Sequence, residues 1–345
     1  MGKEEVYVSQ TEPSVAVLMD ASEDSELSRA KAEAVLRILD EGGYSAYCVE
    51  LKPCSDKPSK HIEHNTREGS GLTYAQIPFE AFLHGIGTGR QPDVVVVASD
   101  GGASGRVQGM LDLVGIPFVG SGALASLIAQ DRTLIRRILV SDGIAVPSWT
   151  LVKESSDVRQ ITGGDLPYPV IVKPRRGEWG MGITIVRSAF DLAEAVKTAS
   201  EYHKDVLIEK FLDGRLVTCC VLGDDDPRAL PLIEVHYGEA FLRHEVMYTP
   251  GVVSESPPVD MQENQYTRVQ DTALRCHRLL ECRDFSRVDV IVNGDDCHVV
   301  GVCVSLNLMP GSLLVRSAQE AGISAKEVLE MLIGWAMHRG GFPRA

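Results

Sequence analysis

The chain has 345 residues, 44% apolar and 24% charged, which is enough for two or three domains with well-buried cores. Its net charge of −14 argues against nucleic acid as a partner, because phosphate backbones need a basic footprint. No run approaches the ~20 apolar residues of a membrane span. The charged start, Met1-Gly2-Lys3-Glu4-Glu5, has no apolar signal region behind it, and Val6 stands where a myristoylation signal needs Ser or Thr. The eight cysteines form no CxxC pair or zinc-ribbon spacing. Free thiols in a reducing cytoplasm are expected, not a disulfide frame or a metal site.

Residues 15–19 read as a buried parallel strand, 30–39 as a helix stopped by Gly42-Gly43, and 46–49 as a second strand. Residues 52–75 carry Pro, Ser, Gly and His and are expected to be loop. The clearest strand is 93–98. A Gly-rich turn at 100–105 and a helix at 107–114 follow, and 116–120 closes an open α/β unit. The first strand ends in Asp20-Ala21-Ser22, not in a GxGxxG turn, so a dinucleotide oxidoreductase is a poor reading. Helices at 123–129 and 132–142 lead into strands at 148–152, 170–173 and 184–186. A helix at 191–200 and a strand at 206–209 complete a small α+β unit. Strands at 216–222, 229–234, 287–292 and 299–307 then make an antiparallel sheet, covered by helices at 261–280 and 325–338. Cys303, alone in a Val-rich strand, is expected in the core.

The last hairpin carries the most chemistry. Asn293-Gly294-Asp295-Asp296 between two apolar runs is a strong hairpin signal. With a period of two, Arg287 and Asp289 share one face of the first strand, and Ser305 and Asn307 share one face of the second. An acid, an amide and a guanidinium are thereby aimed at one metal–phosphate site. Ser305 stands where a second carboxylate is wanted.

Five fragments in order carry a wider likeness. They are Gln108-Gly109-Met110-Leu111-Asp112 with Gly120-Ser121-Gly122; Val172-Lys173-Pro174; Glu209-Lys210-Phe211-Leu212-Asp213-Gly214-Arg215; Arg287-Val288-Asp289; and Asn307-Leu308-Met309-Pro310-Gly311. Together they resemble the D-alanine–D-alanine ligase family of ATP-grasp enzymes, over about residues 15–334. The resemblance implies an N-terminal open α/β unit (1–121), a small central ATP-grasp lobe (122–210) and a C-terminal lobe with the metal–phosphate site (211–345). It implies a cytoplasmic ligase that joins a carboxylate to an amine through an acyl phosphate, in peptidoglycan or peptide natural-product synthesis. Small-molecule substrates, ATP, Mg²⁺ and a homodimer through the N-terminal unit come with it.

By the same resemblance, Lys173 and Arg132 contact the nucleotide, Arg132 in place of a lysine. A buried lysine needs an anionic partner, which favours a phosphate. Glu209, Lys210, Phe211 and Leu212 match the linker that reads the adenine. Gly180 and Gly182 belong to the loop over the phosphates, where glycines let backbone amides come close. Asp289 and Asn307 match the magnesium ligands, and Arg287 the arginine that steadies the acyl phosphate. Glu26 matches the acid that binds the first amino acid's ammonium group, or is an ordinary acid in a helix's first turn. Tyr248 matches a tyrosine of the closing lid.

Departures gather at the same pocket. Ser305 replaces a glutamate that bridges two metals, which removes an attraction on the order of 4 kcal/mol at about 4 Å and an effective dielectric of about 20. One magnesium ion is then expected where two are usual. Trp179 stands at a hydroxyl position of the Gly-rich loop, Met247 at a lid lysine, Leu216 at a ribose-binding acid and Ala103 at an acid of the N-terminal turn. The alternative reading is a weak or inactive relative that binds nucleotide or a partner.

Overall fold

A computed structural model describes residues 13–20, 25–51, 63–66, 73–76, 91–98, 105–153, 166–177, 180–237 and 253–340. Three sheets organise the chain. The first holds β1 (Ser14–Asp20), β2 (Ser45–Leu51), β3 (Glu63–Thr66), β4 (Thr73–Gln76), β5 (Val94–Val97) and β6 (Phe118–Val119), in the order β3-β4-β2-β1-β5-β6. Its pairings are parallel except β3 with β4. β1 is apolar from Val15 to Met19 because both of its faces are covered. Val15, Val17 and Met19 meet Ala32, Val35, Leu36 and Leu39 of α1 (Ser25–Glu41). Ala16 and Leu18 meet Val107 and Leu111 of α2 (Arg106–Val114).

The strands β3 and β4 correct the loop expected over 52–75. Their sequences, Glu-His-Asn-Thr and Thr-Tyr-Ala-Gln, lack the apolar alternation that marks a strand; β3 is the sheet's edge, and β4 pairs with it and with β2.

The second sheet is antiparallel, in the order β7-β10-β8-β9, from β7 (Trp149–Val152), β8 (Val170–Pro174), β9 (Thr184–Val186) and β10 (Val206–Lys210). One face packs Val170, Val172, Val206 and Ile208 on Leu192, Ala195, Val196 and Ala199 of α5 (Ala189–Tyr202), which follows α3 (Ala123–Gln130) and α4 (Arg132–Ser141) in the chain. The period of two then sends Ile171, Lys173, Leu207 and Glu209 to the other face.

The third sheet runs β14-β13-β11-β15-β16, with β12 on β11. It is built of β11 (Arg215–Leu222), β12 (Arg228–Ala229), β13 (Ile233–His236), β14 (Ser254–Ser256), β15 (Phe285–Asn293) and β16 (Asp296–Cys303). Val217, Cys219, Val221, Val288 and Val290 pack on Val269, Ala273 and Cys276 of α6 (Glu263–Leu279), joined by Ile135 and Leu139 of α4. The strand expected over 299–307 ends at Cys303, and the one over 229–234 is two strands. A helix not anticipated from the sequence, α7 (Leu313–Glu320), starts where the Ser312 hydroxyl accepts from the Val315 N–H at 3.4 Å. With α8 (Ala325–Arg339) it sends Leu314, Val315, Leu332 and Ile333 back into the core of the first sheet.

Candidate active site

The register of the third sheet sets a ladder of side chains on the face turned away from α6. Leu216 lies opposite Ile291, Thr218 opposite Asp289, and Cys220 opposite Arg287. One end of this face is apolar: Leu216, Val235 and Ile291 are buried with Leu212 and Val300 packed against them. The other end is polar. The Thr218 hydroxyl donates to Asp289 Oδ1 at 2.8 Å, and an Arg287 terminal N–H donates to Asp289 Oδ2 at 3.1 Å. The strip is graded from a greasy platform to a charged pair, which suits a base at one end and phosphates at the other. Arg287 Nε is buried and has no partner among the described residues. A buried donor left open is costly unless a ligand takes it.

Asn307 follows in an extended segment beyond β16. Leu306 and Leu308 turn into the core, while Ser305 and Asn307 are half-buried on the other side. The Asn307 amide oxygen accepts from the Met309 N–H at 3.0 Å, and its carbonyl accepts from the Ser312 hydroxyl at 2.8 Å, so its orientation is held by local bonds. Among the described residues, no three His, Cys, Asp or Glu side chains are grouped to hold a metal unaided.

The second sheet offers a buried charge cluster. Glu209, 1% exposed, ion-pairs with both Lys173 and Arg136. Burial would raise the Glu209 pKa, but the Lys173 and Arg136 cations outweigh it and hold the acid below its usual range. Burial pushes Lys173 down to about 7, and the Arg136 charge adds to that against the pull of Glu209. Two cations facing one acid leave an excess positive charge in a dry place, which an anion would balance. Arg136 also donates to the Val300 carbonyl of β16 at 3.2 Å and so ties the second sheet to the third.

Between the two sheets the chain crosses at Lys210-Phe211-Leu212-Asp213-Gly214. The N–H groups of Lys210 and Phe211 are taken by the carbonyls of Ser148 and Pro169, at 2.9 and 3.1 Å. No partner takes the Leu212 N–H among the described residues. Gly214 has φ +149°, and a Cβ there would lie 2.5 Å from the Val292 carbonyl oxygen, so only glycine lets the linker cross β15 this closely. On the loop after β8, Arg132 donates to the carbonyls of Pro174 and Gly177, at 2.8 and 2.6 Å. Arg132 therefore holds the glycine loop by its backbone. Asp131, fully buried, caps α4 and accepts from Arg175 and Arg176 at 3.0 and 3.1 Å.

Of the residues singled out by sequence, Lys173 and Glu209 pair on the second sheet with Arg132 nearby, Arg287 and Asp289 pair on β15, and Asn307 follows in the extended segment after β16. Gly180 and Gly182 lie in the loop and Lys210, Phe211 and Leu212 in the linker. Glu26 falls in the first turn of α1, with its side chain outside the described residues; Tyr248, Met247, Trp179 and Ala103 lie outside them too. Leu216 joins the apolar platform. Arg136, Thr218 and Lys31 were not singled out. The one sequence signal for Arg136 and Lys31 is a cation in an apolar helical stripe. Cys303 is half-buried opposite Arg287 and not in the core. None of the described cysteines is in a disulfide, and burial raises Cys220, Cys276 and Cys282 to about 12, which keeps them protonated.

Two antiparallel sheets flanking a strip graded from apolar to charged make up the architecture of the ATP-grasp class. Residues 138–334 match the sequence model of the family described as "D-ala D-ala ligase C-terminus". The D-alanine–D-alanine ligase of Desulforudis audaxviator is 33% identical, across 94% of this chain and 99% of its own length. The crystal structure of the Bacillus anthracis D-alanine–D-alanine ligase superposes with a TM-score of 0.77 at 25% identity, covering 95% of this chain and 99% of that one. The structure of the B. anthracis ligase complexed with ATP has the same fold, with a TM-score of 0.73. The chain belongs to the D-alanine–D-alanine ligase family, whose members are ATP-dependent, amide-forming ligases.

Proposed function

We propose that this protein is an ATP-dependent carboxylate–amine ligase that makes a dipeptide or related amide, with its reaction centre at Arg287, Asp289 and Asn307. The observation that carries this reading is the graded strip facing the Lys173–Glu209–Arg136 cluster. The base lies on Leu216, Val235 and Ile291 and is read at the linker, where the Leu212 N–H is open. The triphosphate lies between Lys173 and the Asp289 end, under the loop that Arg132 holds. Asp289 and Asn307 offer carboxylate and amide oxygens that would hold a single magnesium ion. That ion supplies charge neutralisation at the phosphates when bound.

The protein's part is positioning and charge stabilisation. A substrate carboxylate oxygen attacks the γ-phosphorus, and the bond to ADP breaks. The incoming amine then displaces phosphate from the acyl carbon, forming the amide and releasing a proton. Arg287 presents its open Nε–H to the oxygens that gain charge. Glu26, in the first turn of α1, takes the ammonium group of the first amino acid, and Tyr248 closes the site from the lid.

The division into units at 1–121, 122–210 and 211–345, a cytoplasmic location and a homodimer belong to the same proposal. The dimer is supported by exposed apolar side chains on the adjoining helices α2 and α3: Met110, Leu113, Leu124 and Leu127.

The test is to incubate the protein with Mg-ATP and a panel of D- and L-amino acids, reading phosphate release, product mass and, by light scattering, particle mass. Amino-acid-dependent phosphate release with a condensed product and a dimer mass is expected. Nucleotide binding with no product from any pair would leave the nucleotide-binding relative as the better reading.

A further inference from the structure

Glu255 of β14 shares a face with the strip, because the ladder sets it opposite Val235, which lies opposite Leu216. Leu313, the first residue of α7, packs on the same apolar end, and the next turn of that helix brings Arg316 to Glu255. Arg316 Nε lies 2.9 Å from Glu255 Oε2 and donates to the Gly311 carbonyl, also at 2.9 Å. The guanidinium is thereby tied to the turn after Asn307, whose own carbonyl accepts from Ser312 at the head of the same helix. Burial raises the Glu255 pKa against the pull of two cations, Arg316 and Arg287, so the acid lies within reach of the Arg287 charge. The pair is open to a ligand. The Arg316 and Glu255 side chains are 45% and 23% exposed. Among the described residues their only polar contacts are made by Nε and Oε2, which leaves Oε1 and the two terminal nitrogens to a ligand.

We infer that Glu255 and Arg316 hold the amine substrate, and that this substrate is a free α-amino acid, with its carboxylate on the terminal nitrogens of Arg316 and its ammonium on Glu255 Oε1. The inference deepens the ligase reading above and rests on it. A guanidinium fork meets a carboxylate with two parallel N–H donors, and the contacts of Nε with Gly311 and Glu255 hold the fork in one orientation. An anion alone would meet repulsion from Glu255, and a cation alone would meet it from Arg316 and Arg287. A molecule that carries both charges on one carbon finds a partner for each. The pair therefore selects an amino acid over a simple amine or an amino acid amide.

The experiment gives the full-length protein Mg-ATP with D- or L-alanine, or whichever amino acid gives product in the panel above, mixed equally with its carboxamide. The two condensed products are read by mass. The carboxamide has no carboxylate to activate, so it enters only as the amine. The natural protein should favour the free amino acid by on the order of tenfold to a hundredfold, as for a charged hydrogen-bonded pair. Arg316→Met should bring that preference near parity, and Arg316→Lys should restore part of it. Glu255→Gln should raise the KM of both amines and leave the KM of ATP unchanged. The product ratio is taken within one sample, so a variant that folds poorly lowers both products and keeps the ratio. Near parity in the natural protein overturns the inference, as does a preference unchanged in Arg316→Met. For a protein that makes no product, calorimetry reads the binding of the same amino acids in the presence of a non-hydrolysable ATP analogue. Binding that Arg316→Met abolishes then refutes the ligase reading and keeps the subsite. Binding indifferent to Arg316→Met, or no binding, refutes both.

Discussion

Lys173 shows how burial moves the titration of a residue. Its pKa in the nucleotide-free protein is about 7, against an ordinary value of 10.5, because burial and the Arg136 cation outweigh Glu209. Between those values the unfolded chain holds a proton that the folded one has released. The group's contribution to stability therefore grows as pH rises from about 7 to about 10, and is lost as pH falls through about 7. Nucleotide binding has the opposite sign, because a triphosphate favours the charged amine. Affinity should be highest below pH 7 and fall above it, by at most about tenfold per pH unit, as each complex takes up a proton. Calorimetry from pH 6 to 9 measures this, and Lys173→Met gives the baseline for the nucleotide's own titration. Equal slopes in the two proteins would remove Lys173 from the phosphate site. Lys173 is legible in the sequence as a lysine ending an apolar strand. Arg136 is not, because a cation in a helical stripe reads equally well as a solvated face until the fold buries it.

Among the elements, the glycine loop after β8 depends on backbone freedom. Gly182 has φ +68°, and a Cβ there would lie 2.6 Å from the ring of Tyr202 on α5. Gly182→Ala must strain the backbone and push the ring aside, at a cost of about 1–3 kcal/mol. A lower melting temperature and a raised KM for ATP are the expected outcomes, and calorimetry with steady-state kinetics reads both. An unchanged KM would show that the loop does not need this shape to cover phosphate. The hairpin of β15 and β16 was the most readable element, because its turn signal and its alternation are both local. β3 and β4 were hidden, since their pairing is decided by neighbouring backbones and not by an apolar pattern of their own. The helix α7 was missed because its apolar face meets the first sheet, far away in sequence.

At the scale of the molecule, Arg339 fastens the first sheet to the third. It donates to Asp284 through both terminal nitrogens, at 2.6 and 2.7 Å, to Asp224 at 2.7 Å and to the Phe118 carbonyl of β6 at 3.2 Å. Asp284 is fully buried, and burial raises its pKa even with Arg339 beside it. Arg339→Met leaves that carboxyl buried without its cation, a change that costs about 3–5 kcal/mol. The melting temperature should fall markedly, while kcat, measured below the transition, stays near that of the natural protein, since Arg339 lies outside the reaction centre. A melting temperature within a degree of the parent would show that Asp284 finds another partner.

The sequence by itself determined the architecture and the strands that carry one half of the candidate site. Strand periodicity, turn residues and ordered fragments are local properties, and they placed Arg287, Asp289, Lys173 and Glu209 on strands, whereas Asn307 falls beyond the end of β16. It also marked Ser305 as a missing carboxylate. Only the tertiary structure decided what lies beside that serine. Lys31 and Ser305 are separated by 274 residues, and the core that α1 shares with α7 and α8 is what brings the ammonium to the hydroxyl. A contact across so many residues is invisible to any local pattern, because it exists only once long-range packing has set the distance.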